Sequence, residues 1–329
     1  MGELILLNKS LYKTRKILVK TLNFSILKSQ NKPISMSNIR NNYLKVLEVI
    51  HSLNIHHYSA NRVGRKPKMA DIEVVALSLT AEFMSIDSEN DLFRQISNLE
   101  IPNLIERSQF NKRRRKLFDF SEKIRLALAS KFIELEDYFI VDSMPLEICK
   151  TARQNRIKIC KENYETAPEK GFCASQNSWF YGYKLHGVCT LSGVFHSIDI
   201  TKANVHDIHY LKDIKHQLSE CVLLGDKGYL SVEQQLDLFE SANIILETPM
   251  RENQKGYKKQ PYIFRKSRKR IETLFSQLCD QFMIRRNYAK TFDGFKTRIL
   301  AKITAMTLIQ FMNKFIFDRN INNIKIQII

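Results

Sequence analysis

Two aspartates in the second half of the chain stand where apolar segments end. Asp142 follows the apolar run 139–141, and Asp226 follows 221–224 after a single glycine. An ionised carboxylate beside a buried strand is costly unless a cation pairs with it. Ligand sites in open α/β sheets gather beyond strand ends, so we expect both side chains to point into one crevice. Pro145 is predicted to end the first strand and to leave Asp142 at the rim of the sheet.

A third acid, Glu272, belongs to a predicted helix and lies beside its apolar stripe. That stripe consists of Ile271, Leu274, Phe275, Leu278 and Phe282. Three converging carboxylates would raise one another's pKa unless a cation lay between them. Oxygen ligands favour a hard divalent ion, Mg²⁺, with Mn²⁺ able to substitute. A pair of such ions supports in-line phosphoryl transfer.

Each acid also has an ordinary structural interpretation. Asp142 and Asp226 could be turn residues. Glu272 could be the i, i+4 partner of Arg268 on one helix face. Only their joint placement, on two strand ends and one late helix, favours a shared site.

The elements that must position these acids read as a mixed α/β arrangement. Two strand-like runs are joined at Gly193, which predicts a hairpin. Helices are expected to begin at Asp207, as its cap, and at Ser231, with a further strand at 243–250. Longer helices are predicted over 265–286 and 292–317. This order predicts a mixed sheet flanked by helices.

The first part of the chain reads as helical. Asp71 is predicted to cap a helix with apolar residues at helical spacing, and further helical segments are expected at 89–98 and 108–134. We divide the chain into an N-terminal extension (1–35), a helical DNA-binding region (36–135) and a catalytic domain (136–329), with Met36 near the natural start. The stretch 61–68 reads as an exposed linker.

The charge balance indicates a polyanionic partner. The chain has 52 Lys and Arg against 34 Asp and Glu, a formal charge of +18. Such an excess favours nucleic acid, because each neutralised phosphate releases counterions. The predicted DNA contacts are Arg113, Arg114, Arg115, Lys184, Lys227 and Arg268. A solvated charged face is the alternative for the arginine run.

Five segments, in order, resemble the DDE transposases of bacterial insertion sequences, and within them the insertion-sequence family nine-eight-two group. They are IVDSMPLEICK, GYKLHGVCTLSGVFHSIDITKANVHDIHYL, LLGDKGYLS, TPMRENQK and RKRIETLFSQL. The resemblance covers roughly residues 37 to 315. It implies an RNase H-like catalytic domain, two Mg²⁺ ions, and DNA cleavage and strand transfer at terminal inverted repeats.

Matched position by position, the resemblance places the family's acids on Asp142, Asp226 and Glu272 as metal-binding and catalytic residues. Arg268 also matches the signature around the last acid, whereas Arg265 and Cys279 depart from its Tyr and Lys. A homodimer on double-stranded DNA is expected because two element ends must be brought together.

Other interpretations stay open. A nuclease of the same fold would share the acids without joining DNA, and an inactive DNA-binding protein would ignore metals. His206 and His209 have zinc-like spacing but no evident third ligand, so we expect a structural role. Trp179 could stack on a flipped base or pack at the hairpin edge. No secretory signal or membrane span is expected, so the predicted compartment is the cytoplasm, in association with the nucleoid.

Overall fold

The computed structural model describes residues 39–55, 66–99, 101–134, 136–253 and 256–324. Within these residues, six strands form one mixed sheet. The strands are β1 (Tyr138–Cys149), β2 (Glu169–Cys173), β3 (Ser178–Thr190), β4 (Phe195–Lys202), β5 (Val222–Leu224) and β6 (Ile245–Glu247). The expected segments 1–35, Met36 and the first half of the linker lie outside the described residues.

The sheet has the strand order of an RNase H-like fold. β1 pairs antiparallel with β3, and β3 pairs antiparallel with β4. On its other side β1 pairs in parallel with β5, which pairs in parallel with β6. β2, which the sequence did not predict, adds to the first half of β3. The expected hairpin at Gly193 is confirmed, and its φ of +94° explains why a glycine stands there.

Helices cover both faces of the sheet. In chain order they are α1 (Ile39–Ser52), α2 (Asp71–Phe83), α3 (Glu89–Ile96), α4 (Arg107–Lys116), α5 (Phe118–Ile133), α6 (Leu211–Ile214), α7 (Val232–Ala242), α8 (Tyr262–Asp280) and α9 (Phe292–Phe311). The predicted apolar stripe of α8 is buried as expected. The segment 108–134 forms two helices, because the backbone at Leu117 leaves the helical conformation.

The two sheet faces have separate hydrophobic cores. Ile140 and Met144 of β1 belong to a large core with Ile271 and Leu274 of α8, and this core continues through α1, α2 and α9. Phe139 of β1 faces the other way, into a core built with α6 and α7. Alternate residues of a strand point to opposite faces, so Asp142 shares the face of Ile140 and Met144 and points toward α8.

Two predicted helix starts are wrong. Ala70, not Asp71, is the N-cap of α2, and the carboxylate of Glu73 accepts a hydrogen bond from the Ala70 amide. His206, not Asp207, caps the next helical segment, where its Nδ1 accepts from the Ile208 amide at 3.3 Å. Ser231 is confirmed as the N-cap of α7, since its hydroxyl accepts from the Gln234 amide.

The helical segment Phe292–Ile316 is long and apolar enough to cross a membrane, judged by length and composition. However, 89% of its most apolar window is buried inside the protein. Its apolar residues therefore serve as the central packing surface for α2, α5 and the sheet. A core helix of a globular protein explains this pattern.

Candidate active site

The parallel pairing of β1 with β5 places Asp142 and Asp226 at the same height along the two neighbouring chain segments. Ile140 is opposite Leu224, the last residue of β5. Two residues further along each segment are Asp142 and Asp226, so the register brings both carboxylates to the crevice where the pairing ends. The prediction that they lie together therefore has direct support from the strand register.

The prediction that β1 ends at Pro145 is wrong. The strand continues to Cys149 and stays paired with β3, with Pro145 opposite Lys184. β5 ends before Pro145, so this part of β1 has no partner strand on its β5 side. Proline has no backbone N–H, and on this open side its absence breaks no hydrogen bond of the sheet. Asp142 thus lies inside β1, at the point where β1 is no longer paired with β5.

Asp226 is held by the turn that follows β5. Its Oδ1 atom accepts a hydrogen bond from the Gly228 amide at 2.7 Å, which makes Asp226 the N-cap of the 3₁₀ turn Lys227–Tyr229. The capping bond fixes the carboxylate at the mouth of the crevice. Asp142 is held in a similar way, because its Oδ1 accepts from the Ser143 amide at 2.8 Å.

Burial dominates the electrostatics of Asp142. Desolvation raises its pKa to about 7, the Ser143 amide lowers it, and the charge of Asp226 raises it further. Arg268 lowers the pKa and Asp207 raises it. The two aspartates are therefore close enough to repel each other, and Arg268 of α8 is the cation that acts on Asp142.

Tyr229 lies beside the same acids. Burial is the main reason why the pKa of Tyr229 lies well above its ordinary value. The charges of Asp207, Asp142 and Asp226 raise this pKa further. Its hydroxyl is buried and has no hydrogen-bond partner among the described residues. A tyrosine with an unused donor next to three carboxylates marks this crevice as a place where a polar group is expected to bind.

Glu272 is not part of this cluster. It is exposed on α8, one turn after Arg268, while its neighbours Ile271 and Leu274 pack against the sheet. Among the described residues, no three Asp, Glu, His or Cys side chains come close enough together to hold a metal ion. The structure thus brings Asp142 and Asp226 together, and Glu272 as third ligand stays a prediction.

Asp207, which the sequence predicts as a helix cap, instead lies near the two aspartates. Its charge acts on both Asp142 and Tyr229. It forms a salt bridge with Lys184 at 2.9 Å, and the Lys184 amine also donates to the Val205 carbonyl. The signal was the run NVHDIH, in which the aspartate was interpreted as a cap. Lys184 was predicted to contact DNA phosphate, and here its amine is engaged within the protein.

His186 supports the cluster from the neighbouring strand. It is fully buried, its Nε2 is 2.8 Å from the Thr201 hydroxyl, and its ring lies 5.0 Å from that of Tyr210. Burial lowers its pKa to about 4, although Asp207 acts in the opposite direction. The imidazole is therefore neutral at pH 7 and adds no charge beside Asp207 and Lys184.

The predicted DNA-binding residues are placed unevenly. Arg113 binds Asp71 at 2.6 Å, and the buried Arg114 binds Glu89 at 2.9 Å, so both connect helices of the N-terminal region. Arg115 is half-buried, and Lys227 is exposed directly after Asp226. DNA contact by these residues stays a prediction, with Lys227 the most accessible next to the acids.

Trp179 is exposed at the hairpin formed by β2 and β3. Its ring lies 5.3 Å from that of Phe172, and the Lys170 amine lies 4.6 Å above it. Trp179 therefore packs against Phe172 at the edge of the hairpin, as one of the two predicted alternatives has it. An exposed indole with a cation over its face is also a surface on which a base could stack.

The two aspartates suit a hard divalent cation. Both are carboxylates, each uses Oδ1 for a backbone amide, and neither forms a salt bridge within the described residues. Desolvation, with a smaller contribution from the charge of Asp226, raises the pKa of Asp142 to about 7, so a cation with a preference for oxygen ligands would stabilise this partly buried pair. The donor chemistry fits Mg²⁺ or Mn²⁺.

The fold and these acids define a protein with an RNase H-like sheet that carries paired carboxylates at its central crevice. The family model described as "Transposase DDE domain" matches residues 134–308, more than half of the chain. The chain belongs to this family of DDE transposases. The matched residues include Asp142, Asp226 and Glu272.

A solved structure described as "Mos1 transposase paired-end complex with left transposon end" is similar over 93% of this chain and 92% of its own chain. The sequence identity is 11% and the TM-score is 0.21.

Proposed function

We propose that the protein is the transposase of a bacterial insertion sequence, of the family nine-eight-two group. It binds the terminal inverted repeats and catalyses metal-dependent cleavage and strand transfer. The single observation that carries this proposal is the placement of Asp142 and Asp226 side by side, where the β1–β5 pairing of a DDE-family domain ends. The formal charge of +18 supports DNA as the partner.

Asp142 and Asp226 would hold the ions, with Glu272 as the third ligand. Two Mg²⁺ ions, when bound, activate the attacking oxygen and stabilise the leaving oxygen of a phosphoryl transfer. Asp142 accepts a proton near neutral pH when no cation is present, because burial raises its pKa to about 7. The Gly228 amide keeps the Asp226 carboxylate in place while DNA binds and leaves.

The reaction has two steps. Water attacks the phosphodiester at the element's end, a new P–O bond forms, and the bond to the 3′ oxygen breaks. The freed 3′-OH then attacks a phosphodiester of target DNA, with the target's own 3′ oxygen as leaving group. Glu272 would position the attacking oxygen, and Arg268 would contact the phosphate next to Asp142.

The wider setting follows from this proposal. A homodimer would bring two element ends together, and the cytoplasm, in association with the nucleoid, would be its compartment. Residues 36–135 would recognise the inverted repeat, while 136–329 would perform the chemistry.

A strand-transfer assay tests the proposal. The protein is incubated with labelled DNA carrying the element's end, target DNA and Mg²⁺, and both cleaved and joined products are measured. We expect Mg²⁺-dependent joining. Cleavage without joining would indicate a nuclease, and DNA binding with neither product would indicate an inactive binding protein.

A further inference from the structure

A second polar site lies between the N-terminal helices and the start of α9. Here a cavity of about 580 Å³ is lined by residues of α3, α4 and α9 and by the segment before α9. Its charged lining residues are Asp87, Glu89, Arg107, Arg114, Arg115, Lys290 and Arg298. Five cations thus face two acids in one cavity.

The acids do not neutralise this excess. Glu89 is bound by Arg114, and Asp87 receives the Tyr288 hydroxyl at 3.4 Å. Arg107 and Lys290 are exposed, and neither forms a salt bridge within the described residues. The cavity therefore keeps a positive charge available for an anion.

Two buried arginines have unused donors at this cavity. Arg114 and Arg298 are each 6% exposed, and the Nε atom of each has no hydrogen-bond partner among the described residues. Their Nη2 atoms are engaged, by Glu89 for Arg114 and by the Asp87 carbonyl for Arg298. Both arginines line the cavity, so its wall contains guanidinium charge that the two acids only partly neutralise.

The first turn of α9 also lines the cavity. Thr291 is its N-cap and accepts from the Gly294 amide at 3.2 Å, and both residues lie in the cavity wall. The start of this 20-residue helix carries partial positive charge, which favours an anion. A Cβ on Gly294 would lie 3.2 Å from the Thr291 hydroxyl, so glycine keeps this wall open.

The cavity lies within reach of a DNA duplex that also occupies the active site. Phe292 and Phe295 of α9 pack on Tyr183, with ring centroids 5.2 Å and 5.1 Å away. On β3, Tyr183 lies four residues from Gly187, which pairs with Asp142. At a rise of about 3.3 Å per residue, Tyr183 and Gly187 are about 13 Å apart. One turn of DNA spans about 34 Å.

We propose that this cavity binds a phosphate group of the DNA backbone while the element's end occupies the active site. The proposal rests on the proposed function for the identity of the DNA. A phosphate of the duplex fits better than a free anion, because the whole chain is strongly basic and α9, whose first turn lines the cavity, packs on Tyr183 of β3.

The test compares two double variants with equal charge loss. Arg107→Ala with Lys290→Ala removes the exposed cations of the cavity, and Lys131→Ala with Lys212→Ala removes exposed cations elsewhere. Binding of a fluorescent duplex of the element's end, about three turns or ~30 base pairs, is measured between ~50 and ~200 mM salt. We expect the cavity variant to bind more weakly and to reduce the slope of log K against log salt by about 1, with the control slope unchanged.

Equal slopes for the cavity and control variants would overturn the proposal. A second arm adds inorganic phosphate and a nucleoside monophosphate to the parent and follows its melting temperature. Stabilisation by either at micromolar concentration, together with unchanged DNA binding by the cavity variant, would also overturn it in favour of a small free anion.

The outcome is separable from that of the proposed function. Cavity-dependent DNA binding without strand transfer by the parent would support the phosphate site and refute the transposase assignment. Strand transfer by the parent, with equal salt slopes for the cavity and control variants, would support the transposase assignment and refute the phosphate site. A parent that does not bind the duplex at all would overturn both.

Discussion

Asp142 and Asp226 occupy the same level of two parallel neighbours in the sheet, two residues beyond the pair Ile140 and Leu224. Burial and mutual repulsion raise the pKa of Asp142 to about 7. In the metal-free protein the ionised form of Asp142 is therefore unfavourable, and a bound divalent cation would stabilise it.

Replacing Asp142 by Asn is expected to stabilise the metal-free protein at high pH. The pKa of Asp142 rises on folding from 3.8 to about 7, so the folded state binds the proton more tightly, and its stability falls as pH rises through this window. Asn does not titrate. In the presence of a chelator, Asp142→Asn should melt a few degrees above the parent at about pH 8, at roughly 2–4 °C per kcal/mol.

The same comparison at about pH 5 is the control. There the parent carboxyl is protonated in the folded state and only part of the loss has occurred, so the gain of Asp142→Asn over the parent should be clearly smaller than at about pH 8. A gain of equal size at both pH values would show that the charge of Asp142 is not the cause.

The affinity for Mg²⁺ should depend on pH through Asp142. A ligand carboxyl must lose its proton to bind, so a pKa near 7 predicts affinity about tenfold weaker at pH ~6 than at pH ~8. Isothermal titration of the parent measures this ratio. Asp142→Asn should bind more weakly and lose the pH dependence, and an unchanged dependence would assign it to another group.

Asp226→Asn should separate chemistry from folding. Asn can still accept from the Gly228 amide as an N-cap, whereas Ala cannot and should cost about 1 kcal/mol of stability. Both variants remove a ligand charge, so we expect joining to fall about 100-fold to 1000-fold, the equivalent of roughly 3–4 kcal/mol. DNA binding should persist, and retained joining by Asp226→Asn would refute the site.

Glu272→Gln should abolish joining without a change in stability. The side chain is exposed, so its replacement should alter the free energy of unfolding by less than about 0.5 kcal/mol. Asp280→Asn, an exposed acid on the same helix, is the matched control and should join DNA normally. Full activity of Glu272→Gln would exclude it as the third acid.

Asp207→Asn tests whether Asp207 acts on the site through its charge alone. Asp207 already acts on Asp142 electrostatically, while Glu272 is exposed one turn from Arg268. If Glu272 completes the site, Asp207→Asn should bind Mg²⁺ like the parent and lose mainly stability, because Lys184 loses its partner.

The sequence predicted the parts of this site that depend on local pattern. Strand propensity and alternation located Asp142 and Asp226, and helical spacing located the buried stripe of α8. It could not predict that β1 runs past Pro145, because this depends on β5 ending early and leaving an edge open. Asp207 was assigned to a cap for a similar reason, since its contact with Lys184 crosses from one strand to a distant turn.

A buried ion pair connects α2 to α9. The Lys302 amine of α9 binds Glu82 of α2 at 2.6 Å and donates to the Phe282 carbonyl at 2.7 Å. Lys302→Met should lower the free energy of unfolding by about 3–5 kcal/mol, because it leaves the Glu82 charge buried beside a more distant Arg298. Chemical denaturation measures this loss.

The double variant decides whether the pair or the packing is responsible. Glu82→Leu with Lys302→Met removes both charges and keeps apolar volume, so it should regain most of the stability lost by Lys302→Met alone. A double variant no more stable than the single one would mean that loss of the hydrogen bond to the Phe282 carbonyl, not loss of the ion pair, causes the destabilisation.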